Sequence, residues 1–353
     1  MEHLYEYLGF LARTATVVAA LLVVVSSIAA LAVKRQQQQA GHLEIRKLNE
    51  HYQDLKYGVQ EALLPASLVK KARKQEDKAR RAADKAAARS VKQAAEGAAV
   101  PRKRTFVLDF HGDLHASQVK QLREEITAVL TTAAPDDEVV VRLESPGGLV
   151  HGYGLAASQL ARIRDQGIPL TVVVDKVAAS GGYLMAVVAN QILAAPFAIV
   201  GSIGVVAQVP NVYRLLKRHD VDVEVLTAGK YKRTLTVFGE NTEAARQKFV
   251  EELEEVHGLF QSFVSAYRSQ VDLDRVATGE SWHGQHAVDL NLIDGLATSD
   301  AYLLTHSENA DLFEIRWVEH KRPIDRLMAQ VESRLDAAAE RWIGKLTNWR
   351  GGA

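Results

Sequence analysis

Short apolar runs alternate with longer amphipathic segments along most of the chain after residue 104. The runs are rich in β-branched residues, which predicts buried strands at 106–110, 139–143, 172–174, 192–193, 199–200, 205–209, 223–226 and 312–318. The segments between them predict helices at 117–130, 151–164, 183–189, 212–218 and 243–269. Strands that alternate with helices in this way indicate an α/β fold with a mainly parallel sheet.

One longer apolar segment precedes this pattern, at residues 15–33. As a helix it would extend about 28 Å, close to the hydrocarbon thickness of a bilayer. A cleaved signal peptide is the alternative, since 30–32 (Ala-Leu-Ala) mimics a cleavage site. The leader carries Glu2 and Glu6 rather than a basic start, which favours an uncleaved transmembrane anchor. A second apolar stretch, 184–209, is interrupted by polar residues and lies within the strand–helix pattern, so we interpret it as core.

The segment after the anchor is polar and basic. Lys34, Arg35, Arg46 and Lys47 follow the apolar segment, and by the positive-inside rule they place the rest of the chain in the cytoplasm. Residues 36–104 are rich in helix formers, and basic residues outnumber acidic ones between 70 and 104. This arm is either a patch for anionic lipid or nucleic acid, or a solvated helical or disordered arm, and we favour the second interpretation.

These boundaries divide the chain into four predicted regions. They are an anchor at 1–35, a charged arm at 36–104, a globular domain at 105–300, and a C-terminal strand with an amphipathic helical extension at 301–353. The 353 residues carry no net formal charge, so charge alone indicates neither a nucleic-acid partner nor an acidic substrate. The absence of cysteine excludes thiol catalysis, disulfides and thiolate metal sites. Two pairs of histidines, His111 with His115 and His283 with His286, lack clustered carboxylates, so we expect no metal site.

The strongest candidate for chemistry is Ser180, which follows the strand predicted at 172–174 and precedes Gly181, Gly182 and a helix. A serine in this position is either a nucleophile or a helix N-cap, and this stretch alone leaves both open. A serine nucleophile needs a base. A lysine fills that role only as a neutral amine, so its pKa of about 10.4 must fall by about 3 units through burial. Lys230 and Lys232, after the strand predicted at 223–226, are candidates, although each by itself is typical of a solvated charge.

Four motifs, which occur in a fixed order along the chain, bear on the role of Ser180 and on the identity of its base. They are 145–148 (Ser-Pro-Gly-Gly), 178–183 (Ala-Ala-Ser-Gly-Gly-Tyr), 200–205 (Val-Gly-Ser-Ile-Gly-Val) and 229–232 (Gly-Lys-Tyr-Lys). Together they resemble the signal peptide peptidase A family of membrane serine peptidases. The anchor and the charged arm resemble its SohB branch in particular. The resemblance covers about residues 105–300 and implies a crotonase-like fold shared with the Clp proteases.

The resemblance also implies roles for individual residues. Ser180 corresponds to the nucleophile, Lys232 to the general base, and Ser202 to a serine that orients the lysine. The amides of Gly148 and Gly181 correspond to oxyanion-hole donors, and glycine permits the close approach that such donors need. Residues 282–287 resemble a segment with a structural role. The resemblance implies neither a cofactor nor a metal.

The expected function is therefore that of a membrane-anchored serine endopeptidase that works through a Ser–Lys dyad and an acyl-enzyme. By analogy with the family we expect a homo-oligomeric ring in the cell inner membrane, acting on signal-peptide remnants or misfolded membrane proteins and not on nucleic acid. Analogy with the family places the catalytic domain outside the cytoplasm, in the periplasm, whereas the basic flank here favours the inside. Two alternatives remain: an acyl-CoA enzyme of the same fold, with Glu144 as a catalytic carboxylate, and a non-catalytic membrane scaffold.

Overall fold

The computed structural model describes residues 41–65 and 102–319, with scattered helical residues between 67 and 85. The predicted anchor at 15–33 and the helical extension after 319 lie outside the described residues. Within the described ranges, no helix combines the length and apolar character needed to cross a bilayer. The chain divides into two compact units. The larger is Ile45–Arg316, and the smaller consists of Met1–Glu44 and Trp317–Ala353, of which 41–44 and 317–319 are described.

The sheets are built from short strands with apolar centres. In chain order the strands are β1 (His42–Lys47), β2 (Arg104–His111), β3 (Glu138–Glu144), β4 (Leu170–Val174), β5 (Val177–Ala179), β6 (Gln191–Ala194), β7 (Ile199–Gly201), β8 (Ser281–His283), β9 (Gly295–Leu296) and β10 (Asp311–Val318). The main sheet has the order β1-β10-β2-β3-β4-β6-β9, and the strand pairs from β10 to β9 are parallel. The predicted α/β class with a mainly parallel sheet is therefore confirmed.

Helices connect these strands. They are α1 (Leu48–Leu63), α2 (Val119–Leu130), α3 (Val150–Asp165), α4 (Gly181–Ala186), α5 (Tyr213–Arg218), α6 (Glu243–Tyr267), α7 (Leu273–Val276), α8 (Gly284–Asp289) and α9 (Ser299–His306). Helix α2 contacts β2, α4 contacts β3 and β5, and α3 contacts both helices. Another buried layer joins α1 and α9 to the strands through Leu48, Val107, Val140, Val173, Leu193, Leu303 and Leu312. Each of these side chains contributes about 1.5–3 kcal/mol by leaving water.

A small second sheet carries the segment around Ser180. Strand β5 pairs in parallel with β7, and β7 pairs in antiparallel fashion with β8. Ser145, at the end of β3, bridges to Ala178 of β5. The predicted order of strand, glycine turn and helix is confirmed, but the strand that leads into Ser180 is β5 rather than the strand predicted at 172–174, which is part of β4. The second apolar stretch, 184–209, forms parts of α4, β6 and β7 rather than one long helix.

The strands predicted at 205–209 and 223–226 are wrong, because the described residues 202–212 and 219–242 contain neither helix nor strand. Their apolar side chains face outward, with Val206 86% and Leu226 88% exposed. A strand needs a neighbouring backbone to pair with, which this segment lacks within the described chain. Other elements extend the sheet beyond the predicted globular domain: β1 and α1 lie in the predicted arm, and β10, after residue 300, pairs with β2.

A charged cluster links three neighbouring strands of the main sheet. Asp109 on β2 accepts hydrogen bonds from Arg142 on β3 at 2.5 and 2.8 Å and from Arg316 on β10 at 2.8 Å. Arg142 also donates to Glu314 at 2.5 Å. Burial alone would raise the pKa of Asp109, but the hydrogen bonds and charges of the two arginines outweigh it and hold this pKa below its usual value.

We expect this cluster to make the free energy of unfolding depend on pH in the acid range. Since the pKa of Asp109 is lowered by folding, its contribution is complete above its unfolded pKa of about 3.9 and is lost as pH falls through the folded value. Asp109→Asn should lower the free energy of unfolding at pH 7 by about 3 kcal/mol, since it removes the charge that pairs with the partly buried guanidinium of Arg142. As pH falls from about 4 through the lower folded pKa of Asp109, the free energies of unfolding of the two proteins should converge, which urea denaturation across pH can measure.

The matched control is Asp165→Asn, which changes an exposed carboxylate at the end of α3. It should leave the free energy of unfolding nearly unchanged at every pH. Parallel pH profiles for Asp109→Asn and the unaltered protein would contradict the assignment.

Candidate active site

Ser180 lies at a sharp reversal between β5 and α4. Its backbone has φ 51° and ψ −120°, a conformation that costs a residue other than glycine about 1–3 kcal/mol. The Ser180 N–H donates to the carbonyl of Gly201 on β7 at 2.8 Å, which helps to hold this conformation. Ser180 occupies the N-cap position of α4, but its side chain makes no capping hydrogen bond. Its hydroxyl is therefore not used to cap the helix.

The glycine turn at 145–148 packs directly against this reversal. Ser145 donates to the carbonyl of Val177 at 2.8 Å and accepts from the N–H of Ala179 at 3.0 Å, so both sides of its backbone are tied to β5. Gly147 has φ +90°, and a Cβ there would lie 2.8 Å from the Ser180 Cβ. Only glycine fits this position, because it accepts the conformation and leaves room for the reversal.

Two backbone amides near Ser180 are not used by the fold. The Gly147 N–H is occupied, since it donates to the Ser145 hydroxyl at 3.1 Å. In the described part of the chain, the N–H groups of Gly148 and Gly181 have no acceptor. Gly181 is the first residue of α4, a position whose N–H has no partner inside the helix. Free amides on both sides of a serine hydroxyl can stabilise an oxyanion that forms there.

Ser202 lies beside the backbone partner of Ser180. It follows Gly201 directly, has φ 53°, and its N–H donates to the carbonyl of Glu280 at 2.7 Å. Gly201 rests on the ring of Trp282, where an added Cβ would be 2.7 Å from the nearest ring carbon. The segment predicted to be structural, 282–287, thus supports the strand that holds both serines. The Ser202 hydroxyl makes no hydrogen bond to any other described residue.

Lys232 lies in the exposed segment between α5 and α6. Its N–H donates to the carbonyl of Gly229 at 3.1 Å. Its side chain forms neither a hydrogen bond nor an ion pair with the described residues, so the structure does not join its amine to Ser180 or Ser202. The structure therefore brings Ser180, Gly148, Gly181 and the Ser202 backbone together, and no hydrogen bond links the Lys232 side chain to any of these described residues.

The neighbouring Lys230 is a poor base in this conformation. The adjacent Tyr231 side chain raises the pKa of the Lys230 amine, which favours its charged form. The amine also lies 4.9 Å from the centre of the Tyr231 ring, a contact that stabilises a cation.

An apolar groove of about 430 Å³ opens beside Ser180. We call it the apolar groove, and its lining includes Val150, Gly154, Leu184, Val206, Val256 and Phe260. Gly148, Ser180 and Gly181 lie along the same groove, so an apolar side chain bound in it would hold its backbone near the serine hydroxyl.

The acyl-CoA alternative required a catalytic carboxylate near the glycine turns. Glu144 is half-exposed and its carboxylate pairs with Lys176 at 3.0 Å. The carboxylate is thus engaged by a cation at the surface.

Sequence reasoning assigned no role to Ser145 or Tyr153. Their hydroxyl oxygens lie 2.6 Å apart, and both residues are completely buried beside the turn. Ser145 belongs to a motif that was noticed for its glycines. Tyr153 looks like an ordinary core residue of a helix, and its two flanking glycines were the only signal that its surroundings are tight.

Comparisons with known proteins give the family. The model "Peptidase family S49 N-terminal" matches residues 2–160, and "Peptidase family S49" matches residues 162–312. The "Probable protease SohB" of Haemophilus influenzae is 50% identical over 294 residues, 83% of each chain. That of Buchnera aphidicola subsp. Acyrthosiphon pisum is 52% identical over 234 residues, 66% of this chain and 70% of its own.

Among solved structures, the "1510-N membrane protease specific for a stomatin homolog from Pyrococcus horikoshii" matches 65% of this chain and 99% of its own, with 14% identity and a TM-score of 0.38. The family models and the SohB relatives confirm the resemblance that the four motifs indicated. The chain belongs to peptidase family S49, in the SohB branch of these serine-type peptidases.

Proposed function

We propose that this peptidase cleaves its substrates with Ser180 as nucleophile and Lys232 as general base, on a crotonase-like fold. Ser202 orients the lysine, and the amides of Gly148 and Gly181 bind the oxyanion. The observation that carries this proposal is the Ser180 hydroxyl, left uncapped at a strained reversal and flanked by two amides that no described group uses.

The reaction then follows from these groups. Neutral Lys232 takes the proton of Ser180 as the serine oxygen attacks the peptide carbonyl. The tetrahedral oxyanion accepts hydrogen bonds from the two glycine amides. The protonated lysine gives its proton to the departing amine, the C–N bond breaks, and an acyl-enzyme remains. Water, deprotonated by the same amine, hydrolyses the ester and releases the second product.

The proposal requires Lys232 to come to Ser180 from its present position. Its segment has no helix or strand between residues 219 and 242, so few backbone hydrogen bonds must break for it to move. Covering the segment would also remove water from the amine, as a lysine base requires. Because Val206 and Leu226 are almost fully exposed, we propose that a second copy of this chain covers the segment in a homo-oligomeric ring.

The apolar groove supports a preference for apolar substrates. Burial of one large aliphatic side chain there contributes about 1.5–3 kcal/mol to binding. We propose that the substrates are remnants of signal peptides or segments of misfolded membrane proteins, both rich in such side chains. Residues 15–33 anchor the protein in the cell inner membrane, close to these substrates.

Single substitutions test the dyad. Ser180→Ala and Lys232→Ala should each reduce peptidase kcat by about 10⁴-fold or more, because each removes one half of a unit that transfers a single proton. Lys230→Ala, which removes the adjacent amine, is the matched control and should retain near-normal activity. Turnover of a quenched fluorescent apolar peptide gives the rates, and circular dichroism checks folding.

Full activity of Lys232→Ala would show that another group is the base. If a serine-reactive fluorophosphonate fails to label Ser180 in the active protein, the nucleophile is wrong. A protein with no peptidase activity and no labelling would support the scaffold alternative.

The groove predicts a change of specificity at Gly154. A Cβ added to this helical glycine meets nothing within 4 Å, so Gly154→Phe can fold and place its ring in the apolar groove. We expect kcat/KM for peptides with leucine or phenylalanine before the cleaved bond to fall about 10-fold or more, and that for alanine peptides to change little. Gly58→Phe, an equally open helical glycine on α1, should alter neither. Equal losses for large and small side chains would contradict the role of the groove.

The exposed segment predicts how assembly responds to substitution. Leu226→Asp should convert the ring to smaller species and abolish activity, because a buried, unpaired carboxylate opposes association. Analytical ultracentrifugation in mild detergent gives the size. The control is Leu304→Asp, on α9, where the side chain is also exposed, at 56%. An active monomer of the unaltered protein would overturn the assembly proposal.

A further inference from the structure

Tyr153 contacts both halves of the candidate oxyanion hole. It is completely buried on α3, in the first turn after the glycine turn. Its ring lies beneath Gly181, since a Cβ added to Gly181 would come within 2.7 Å of the ring's Cδ2 carbon. Its hydroxyl is 2.6 Å from the Ser145 hydroxyl, at the start of the turn that carries Gly148. One side chain therefore touches the backbone on each side of Ser180.

The hydroxyl groups form a chain of hydrogen bonds with one direction. Tyr153 donates its only hydroxyl proton to the carbonyl of Asp113 at 2.8 Å. In the contact with Ser145 it must therefore accept, and Ser145 donates. The Ser145 oxygen in turn accepts the N–H of Gly147 at 3.1 Å. Burial raises the pKa of Tyr153, so the phenol stays protonated and able to donate at neutral pH.

This chain determines which amide of the turn remains free. Because the Gly147 N–H is bound to Ser145, it is not available to an oxyanion at Ser180, whereas the next amide, that of Gly148, is left without an acceptor among the described residues. Without the Tyr153 hydroxyl, the buried Ser145 hydroxyl loses its acceptor, and a change of its side-chain rotamer to find another would move the oxygen away from the Gly147 N–H. The turn would then no longer hold Gly148 in a single orientation.

We propose that Tyr153 is a positioning residue, which sets the geometry of the oxyanion hole through Ser145 on one side and Gly181 on the other. This inference rests on the proposed function, in which Gly148 and Gly181 bind the oxyanion. Tyr153 touches no reacting atom, and it acts in the transition state because only there does the substrate oxygen carry the charge that these amides stabilise.

The test is Tyr153→Phe, which removes one oxygen and keeps the ring under Gly181 and in the wall of the apolar groove. We expect kcat to fall about 10- to 100-fold, less than for loss of an oxyanion donor, with KM nearly unchanged. The affinity for a peptide aldehyde, whose serine adduct carries the oxyanion, should fall in parallel. Ser145→Ala breaks the same chain, so it should give a similar loss, and the double variant should be no worse than the more impaired single variant.

Tyr183→Phe is the matched control. Tyr183 is also completely buried, and its hydroxyl donates to the carbonyl of Leu292 at 2.8 Å, away from the glycine turn. It should lower thermal stability about as much as Tyr153→Phe while kcat and aldehyde affinity stay near their normal values.

Three results would overturn the inference: normal kcat in folded Tyr153→Phe, an equal loss of kcat in Tyr183→Phe, or additive losses in the double variant. If Tyr153→Phe fails to fold, Ser145→Ala decides by the same measurements. Failure of the proposed function is a separate result, because it would appear as activity that survives Ser180→Ala.

Discussion

The candidate site depends on the way in which β5 is held between two neighbouring segments. On one side Ser145 bonds to Val177 and Ala179, and on the other Gly201 accepts the N–H of Ser180. These backbone bonds keep the end of β5 in place while the chain reverses with a positive φ at Ser180. The unfavourable conformation of that residue is offset by the hydrogen bonds around it, which is how strained residues persist at functional sites.

The same arrangement explains why the site tolerates so little side-chain volume. Gly147, Gly181 and Gly201 each face a neighbour at a distance that leaves no room for a Cβ. The neighbours are the backbone on either side of Ser180 together with its Cβ, the ring of Tyr153 and the ring of Trp282. Close approach lets backbone amides reach a substrate oxygen, and backbone donors keep their positions better than flexible side chains do. Two aromatic rings thus act as rigid supports on which the glycine turns rest.

The site combines a rigid half with an exposed half. Ser180 and the two free amides lie among completely buried residues of the sheet and of α3 and α4. Lys232 belongs to a segment without regular structure whose apolar side chains face outward. In the function proposed above, the free amides of Gly148 and Gly181 are in place before assembly, and Lys232 reaches Ser180 only once the segment is covered, which would link activity to assembly.

The sequence by itself determined the α/β class, the order of most strands and helices, and the position of Ser180. These properties are encoded locally: β-branched runs favour strands, and a serine before two glycines at a strand end can form only a few turns. The prediction of strands at 205–209 and 223–226 was wrong. An apolar pattern shows that a segment needs a packing partner, but it does not show whether that partner belongs to the same chain. Only the tertiary structure decided which amides are free and which are bound. The Gly147 N–H is bound by the Ser145 hydroxyl, which bonds to Tyr153, and Tyr153 in turn donates to the carbonyl of Asp113, 40 residues before it in the chain. That pairing depends on how α3 packs against the glycine turn, and no local pattern of residues records it.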